Sequence, residues 1–310
     1  MSSWVTGRRS SIAPRMLRTI SSTASCARSR VSCAEPTVAW IVRSTASRTA
    51  SGTCCLGLLA IAPAVWHIVL AVTEPTPIHL KPQTELAERV LLPGDPHRAL
   101  AVAQAVLDSP RMFNHHRGLW GYTGRAEDGE LLTVQATGMG GPSTAIVVQE
   151  LIMLGVRSFI RIGTCGGLDP QLEIGQLVTA ERALPDDGAS AALGATDWVA
   201  PDAALTQALV AAGGGPLVGA VSTDLFYDRR PDRSGFWRER GASVVEMEAA
   251  ALFQLALLHD LAAACVLGVT DVLGADDARK RIGQEELGEL GVKLGEVGAA
   301  ALATVGAATR

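Results

Sequence analysis

A chain of 310 residues, 48% apolar and 19% charged, with 32 Gly and 15 Pro, has the makings of a turn-rich globular body holding one large α/β domain or two small ones. The formal charge of −4 is uneven, because residues 1–75 carry eight arginines against only Glu35 and Glu74, so the remainder is more acidic than the total suggests. An acidic body lacks the broad basic face of a nucleic-acid binder, and no nucleic-acid partner is expected; any bound anion must be met by a few focused arginines.

Residues 1–75 read as a leader outside the fold. Residues 1–53 are rich in Ser, Thr and Arg with no sustained period, and residues 54–72 form an apolar run broken by Pro63 and His67. A transit or signal-anchor leader, a marginal membrane helix and translation from a start codon upstream of the true one all fit. The third is preferred, because a signal peptide places a short charged region, not fifty residues, before its apolar core. Membrane attachment is therefore not expected. Four of the six cysteines (Cys26, Cys33, Cys54, Cys55) lie in this leader, leaving Cys165 and Cys265 in the body. That is neither a disulfide framework nor a metal-ligand spacing, so no metal and a reducing, cytoplasmic setting are expected.

From Thr76 the pattern alternates strand and helix. Ala87–Leu92 reads as a strand running into Pro93-Gly94-Asp95-Pro96, where Asp95 caps a helix over Arg98–Leu107 and Pro96 opens it. Gly94 and that helix N-terminus form one place for an anion. Gly118–Arg125 and Glu130–Thr137 pair across Asp128-Gly129 as a hairpin. His115 and His116 before it read as surface residues, since neighbours on a strand face opposite ways. Thr137–Thr144 opens a helix from about Ser143, with Val147, Leu151 and Leu154 on its buried face; lacking a Lys-Ser/Thr pair, it is no Walker loop.

The stretch Val156–Gly167 is the centre of the reading. A buried strand over 156–162 is expected to open into a tight loop at Gly163-Thr164-Cys165-Gly166-Gly167, with Arg161 next to the strand's end. Guanidinium, hydroxyl and close backbone approach together suit an anion. Strands are further expected over 174–180, 216–221, 243–245 and 262–269, with 185–200 as loop. Helices are expected over 201–212, 249–258 and 285–305. Such alternation implies a three-layer α/β/α sandwich around a central mixed, largely parallel sheet, a single domain over residues 76–310. Gly94, Thr164, Glu246, Glu248 and Asp271 all fall at the C-terminal ends of expected strands, where open α/β sheets bind ligands. Glu246 and Glu248 suit either the first turn of a helix or a vicinal diol. Asp271, a partly desolvated acid, suits general-acid chemistry or a plain cap.

Leu92–Arg98, Thr137–Thr144, Arg161–Gly166, Asp224–Tyr227 and Val245–Ala250 occur in one order at ordinary spacing. Together they resemble the nucleoside phosphorylase-I family, in its branch of bacterial hexameric purine nucleoside phosphorylases and uridine phosphorylases, over residues 76–305. The resemblance implies a pentosyltransferase that splits purine (deoxy)ribonucleosides with inorganic phosphate as co-substrate and no cofactor. It implies a phosphate site of Gly94, Arg98, Arg161 and Thr164, with Arg117 reaching in from a neighbouring subunit. It also implies a nucleoside site of Phe226 against the base and Met247 and Glu248 at the ribose, with Glu246 close by. His79 would cross the interface to the 5′-hydroxyl. Asp271 would be the acid at purine N7, assisted by Arg279 or Arg281, of which Arg281 is the preferred assignment. A homohexamer with shared sites follows.

Three arginines argue for phosphorolysis over the hydrolysis run by related nucleosidases, which need no such set. The loop Asp228–Arg233 lacks the Gln-x-Arg with which uridine enzymes read uracil, favouring purines. Against this, Gly140–Thr144 and Asp187–Ser190 look more like the uridine enzymes. Uridine phosphorylase is the alternative activity, and a nucleosidase or a non-catalytic nucleoside-binding protein the more distant ones.

Overall fold

The computed structural model describes residues 76–273 and 279–308. The leader, with its apolar run at 54–72, lies outside them. The first elements follow from their local chemistry. Strand β1 (Arg89–Leu92) leads into α1 (Pro96–Val106), whose N-terminus is capped by the Asp95 carboxylate accepting Arg98 N–H at 2.8 Å, with Pro96 in the first turn. After β2 (Asp108–Asn114), the hairpin of β3 (Gly121–Arg125) and β4 (Leu131–Gln135) forms as expected across Asp128-Gly129. Helix α2 (Gly141–Met153) buries Val147 and Leu151.

Strands β5 (Ser158–Gly167) and β6 (Leu177–Asp186) precede two helices capped by Asp187 and Asp202, α3 (Gly188–Ala192) and α4 (Ala203–Ala211). Then come β7 (Leu217–Thr223), α5 (Arg233–Glu239), β8 (Val244–Glu246), α6 (Ala249–His259), β9 (Ala262–Leu273), β10 (Arg279–Arg281) and α7 (Gln284–Ala308).

The ten strands form one mixed sheet in the order β10-β9-β6-β7-β8-β5-β1-β4-β3-β2. Five pairings are parallel and five antiparallel. Because β5 also pairs with β9, the strands β5, β9, β6, β7 and β8 close into a ring. Residue alternation sorts the core onto two sides. Val90, Leu92, Phe159 and Cys265 pack with α2 and α6. Leu91, Ile160, Ile162 and Val266 pack with α1, α4 and α7. The layers are thus α2, α3 and α6 on one face and α1, α4 and α7 on the other.

Several elements differ from the sequence expectation, α5 and β10 being new. Strand β5 does not open into a loop after Ile162 but runs to Gly167, paired with β9 and then with β8. Arg161 is therefore a mid-strand residue, and Thr164 is not at a strand end. Strand β9 likewise continues past Val269, so Asp271 lies within it, opposite Arg281 of β10. Polar Thr270 and Asp271 look like a terminus, yet pairing on both edges carries the strand on. The stretch 174–186 starts as a strand three residues later than expected and ends later, and 185–200 holds α3 and a bridge between Ala183 and Val199. Strand β2, unforeseen, is an edge strand containing Pro110, which is tolerated because proline has no N–H to give and the open edge, with its irregular register at 108–111, needs none there.

Candidate active site

A cleft of about 440 Å³ opens where the β1–α1 turn, β5, the β8–α6 junction, β9 and the loop after β7 converge. Ten of the twelve residues expected at the site line it: Gly94, Arg98, Arg161, Thr164, Phe226, Glu246, Met247, Glu248, Asp271 and Arg281. Arg117 and His79 do not line the cleft of their own chain. Arg117 is exposed in a left-handed turn (φ 58°) at His116–Gly118, beside the equally exposed His115 and His116. His79 is held by Glu150 of α2, whose carboxylate accepts the backbone N–H of Ile78 (3.0 Å), His79 (2.9 Å) and Leu80 (2.7 Å) and lies 2.7 Å from His79 Nδ1.

Arg161 is the hub. Its guanidinium is buried in β5, with Nε donating to Glu246 Oε2 at 3.0 Å and Nη2 paired with Glu248 Oε2. Gly163 makes this possible. A Cβ there would stand 2.7 Å from the Arg161 guanidinium carbon, so the glycine gives room to the side chain of Arg161. Burial works against the Arg161 charge, but Glu248 and then Glu246 more than offset it, holding the guanidinium above its ordinary value. Two carboxylates share one guanidinium, so Glu246 does not gain equally: burial raises its carboxyl, Arg161 opposes this, and Glu248 adds to the rise.

The Glu246 carboxylate also accepts the N–H of Glu248 at 2.8 Å and of Ala249 at 3.0 Å, closing the N-terminus of α6, and it takes the Ser222 hydroxyl. Glu246 was expected beside the ribose; its acceptor positions are instead filled from within the protein. Glu248 Oε1 accepts the Gly140 N–H at 2.6 Å, which the positive φ of Gly140 (85°) turns inward. Ser222, Gly140 and Glu150 were not among the site residues expected from sequence. Glu150 had one signal, an acid three residues after Val147 on the buried side of α2.

Arg98 reaches the same end of the cleft. Its stem lies over Gly291 of α7, and burial and then Arg161 hold its guanidinium below the ordinary arginine value, against the pull of Asp95 and Glu248. At the other group of residues, Arg281 stands 5.5 Å over the Phe226 ring, which meets Tyr227 edge-on at 5.0 Å. Asp271 is buried (5% exposed), and the Thr270 hydroxyl is 3.3 Å from its Oδ1. Arg279 sits opposite Leu273 in β10; its side chain is not among those described.

The loop carrying Phe226 is tied down by Asp186, which accepts Arg233 Nε and Trp237 Nε1 at 3.1 Å each. Arg230 pairs with Asp228, holding that carboxyl at about 2. Cys165 and Cys265 are both pushed up by burial, so neither thiol is a ready nucleophile. Among the described residues no cluster of His, Cys, Asp and Glu is placed to hold a metal ion, and no helix is long and apolar enough to cross a membrane.

The arrangement offers two guanidinium groups and a hydroxyl for an anion, a buried carboxylate beside them for hydroxyl donors, and an aromatic face with an acid for a planar heterocycle. Residues 88–305 match the model of the phosphorylase superfamily, and the chain belongs to that superfamily. It is 39% identical over 203 residues to a protein of Caldanaerobacter subterraneus subsp. tengcongensis described as "Purine nucleoside phosphorylase DeoD-type", covering 63% of this chain and 87% of that one. Proteins of the same description from Clostridium perfringens (39% over 198 residues, 61% of this chain and 83% of that one) and Roseobacter denitrificans (38% over 202 residues, 63% and 86%) are similarly related.

Proposed function

We propose that this chain is a pentosyltransferase that cleaves purine (deoxy)ribonucleosides with inorganic phosphate, yielding free base and (deoxy)ribose 1-phosphate. The observation that carries the reading is Arg161, Arg98 and Glu248 meeting in one cleft with Phe226 and Asp271, in a chain whose relatives are described as purine nucleoside phosphorylases. Those relatives favour purines over uridine.

In this reading Arg98, Arg161, Thr164 and the Gly94 turn hold phosphate beneath C1′. Glu248 accepts from the ribose 2′- and 3′-hydroxyls, Met247 packs on the sugar and Phe226 on the base. A phosphate oxygen bonds to C1′ as the C1′–N9 bond breaks, and the electron pair of that bond leaves with the purine. Positive charge developing on the sugar is met by the phosphate that the arginines hold in place. Asp271 gives its proton to N7 of the departing base, with Arg281 at its side. No cofactor is required.

Arg117 and His79, outside the cleft of their own chain, would complete the sites of neighbouring copies, which supports a homo-oligomer, a hexamer by resemblance. In this reading residues 76–310 are the catalytic domain, residues 1–75 are a leader outside the domain, and the enzyme serves nucleoside salvage in the cytoplasm. Activity on inosine, adenosine and uridine tests the substrate class. Turnover of either purine nucleoside with little or none of uridine is expected; preference for uridine would overturn it.

A further inference from the structure

A side chain in the middle of a strand is aimed by the pleat, and a guanidinium on a long stem needs a second restraint before it presents a fixed edge to a ligand. For Arg161 that restraint is Glu246, which takes Nε while Nη2 pairs with Glu248, and Arg161 is part of the cleft wall. Glu246 is itself fixed at both oxygens. Backbone N–H groups of the first turn of α6 hold it from one side. From the other, Ser222 of β7, paired alongside Glu246 of β8, donates its hydroxyl to Oε1. The Ser222 oxygen then accepts the Ala250 N–H at 2.9 Å, so its own direction is set as well. Ser222 is 0% exposed and is not part of the cleft wall.

We propose that Ser222 and Glu246 are positioning residues for phosphate recognition: Ser222 orients the Glu246 carboxylate, and Glu246 orients the guanidinium of Arg161 toward the anion. The proposal rests on the reading of Arg161 as a phosphate ligand. Closing the α6 N-terminus does not by itself require a carboxylate that also reaches across to β5, and the Arg161 contact is what this arrangement adds. A residue that only supports the fold would lower activity toward both substrates together. A residue that aims Arg161 acts on phosphate.

The test uses the full chain with Ser222→Ala, Ser222→Thr and Glu246→Gln, measuring KM for phosphate at saturating inosine and KM for inosine at saturating phosphate. Ser222→Ala is expected to raise the phosphate KM about tenfold, the scale of one charge-assisted hydrogen bond, with the inosine KM changed less than about twofold. Ser222→Thr keeps the hydroxyl and is expected to restore the phosphate KM. Glu246→Gln keeps the shape but weakens the hold on Nε, and is expected to move the same constant in the same direction. Equal changes in both constants, or a lower melting temperature with unchanged constants, would overturn the proposal. If Ser222→Ala fails to fold, Glu246→Gln carries the same comparison. Failure of the underlying reading is separately visible, because Arg161→Lys would then leave the phosphate KM unchanged.

Discussion

Glu248 joins two parts of the cleft that are distant in sequence: one oxygen is paired with Arg161 Nη2 in β5, and the other accepts the Gly140 N–H at the start of α2. The carboxylate that is the proposed ribose ligand is therefore tied both to the proposed phosphate ligand Arg161 and to the start of α2. Glu248→Ala is expected to lower kcat/KM for inosine by about 10²–10³-fold, the scale of one preorganised electrostatic partner. Steady-state kinetics with a (deoxy)ribonucleoside pair check this, and an unchanged kcat/KM would remove Glu248 from the sugar site.

Arg161 is the residue on which stability and activity both depend. Removing it leaves Glu246 and Glu248 facing each other in a buried space, and Arg161→Ala is expected to cost about 3–5 kcal/mol of folding stability as well as activity. Urea unfolding measures the first effect. A variant as stable as the parent would mean that the two carboxylates are not held by this guanidinium.

Much of this site could be read from the chain because its residues sit in short local motifs. Asp95 and Pro96 announce α1, and Glu246-Met247-Glu248 lies at a strand-to-helix junction in the text and in the fold. What could not be read was set by pairing across the sheet. Gly163–Gly167 look like a loop, but β8 and β9 make them a strand. Ser222 looks like the last residue of an ordinary strand until Glu246 lies beside it. Edge strand β2 carries too little apolar pattern to announce itself. Its burial does not alternate, and only the adjacent Phe113 and Asn114 at its end are buried.

Asp271 bears on the choice among purines. An Asn there still hydrogen-bonds a 6-oxopurine but has no proton to give a 6-aminopurine. Asp271→Asn is expected to reduce adenosine phosphorolysis by about 10²–10⁴-fold, the range of a general acid, and to spare inosine more. Equal losses on both nucleosides, or none, would take the acid role from Asp271.

Gly291 tests the placement of Arg98. A Cβ at this position would come within 3.1 Å of Arg98 Cγ and 3.3 Å of its Nε. Gly291→Ala gains helix propensity of about 0.8–1 kcal/mol, so stability should hold or rise. The phosphate KM should rise severalfold as Arg98 is displaced. An unchanged phosphate KM would show that Arg98 does not need this bed.

Glu150 makes a prediction about acid. Burial raises its carboxyl, but the N–H groups of His79, Leu80 and Ile78 and the His79 ring outweigh this and hold it below its ordinary value. A folded value below the unfolded one gives stability that is present above the unfolded pKa and lost as pH falls through the folded one. Glu150→Gln should cost about 1–3 kcal/mol, since its NH₂ meets N–H donors. The gap to the parent should narrow in acid, below the ordinary carboxylate range. Urea unfolding against pH checks both; a constant gap would separate Glu150 from the acid response.

Phosphorus NMR during turnover of inosine tests phosphorolysis most directly. Inorganic phosphate should disappear and a pentose 1-phosphate appear in step with hypoxanthine, and base release should stop when phosphate is left out. Full-rate release of hypoxanthine in phosphate-free buffer, with free ribose as the other product, would contradict it.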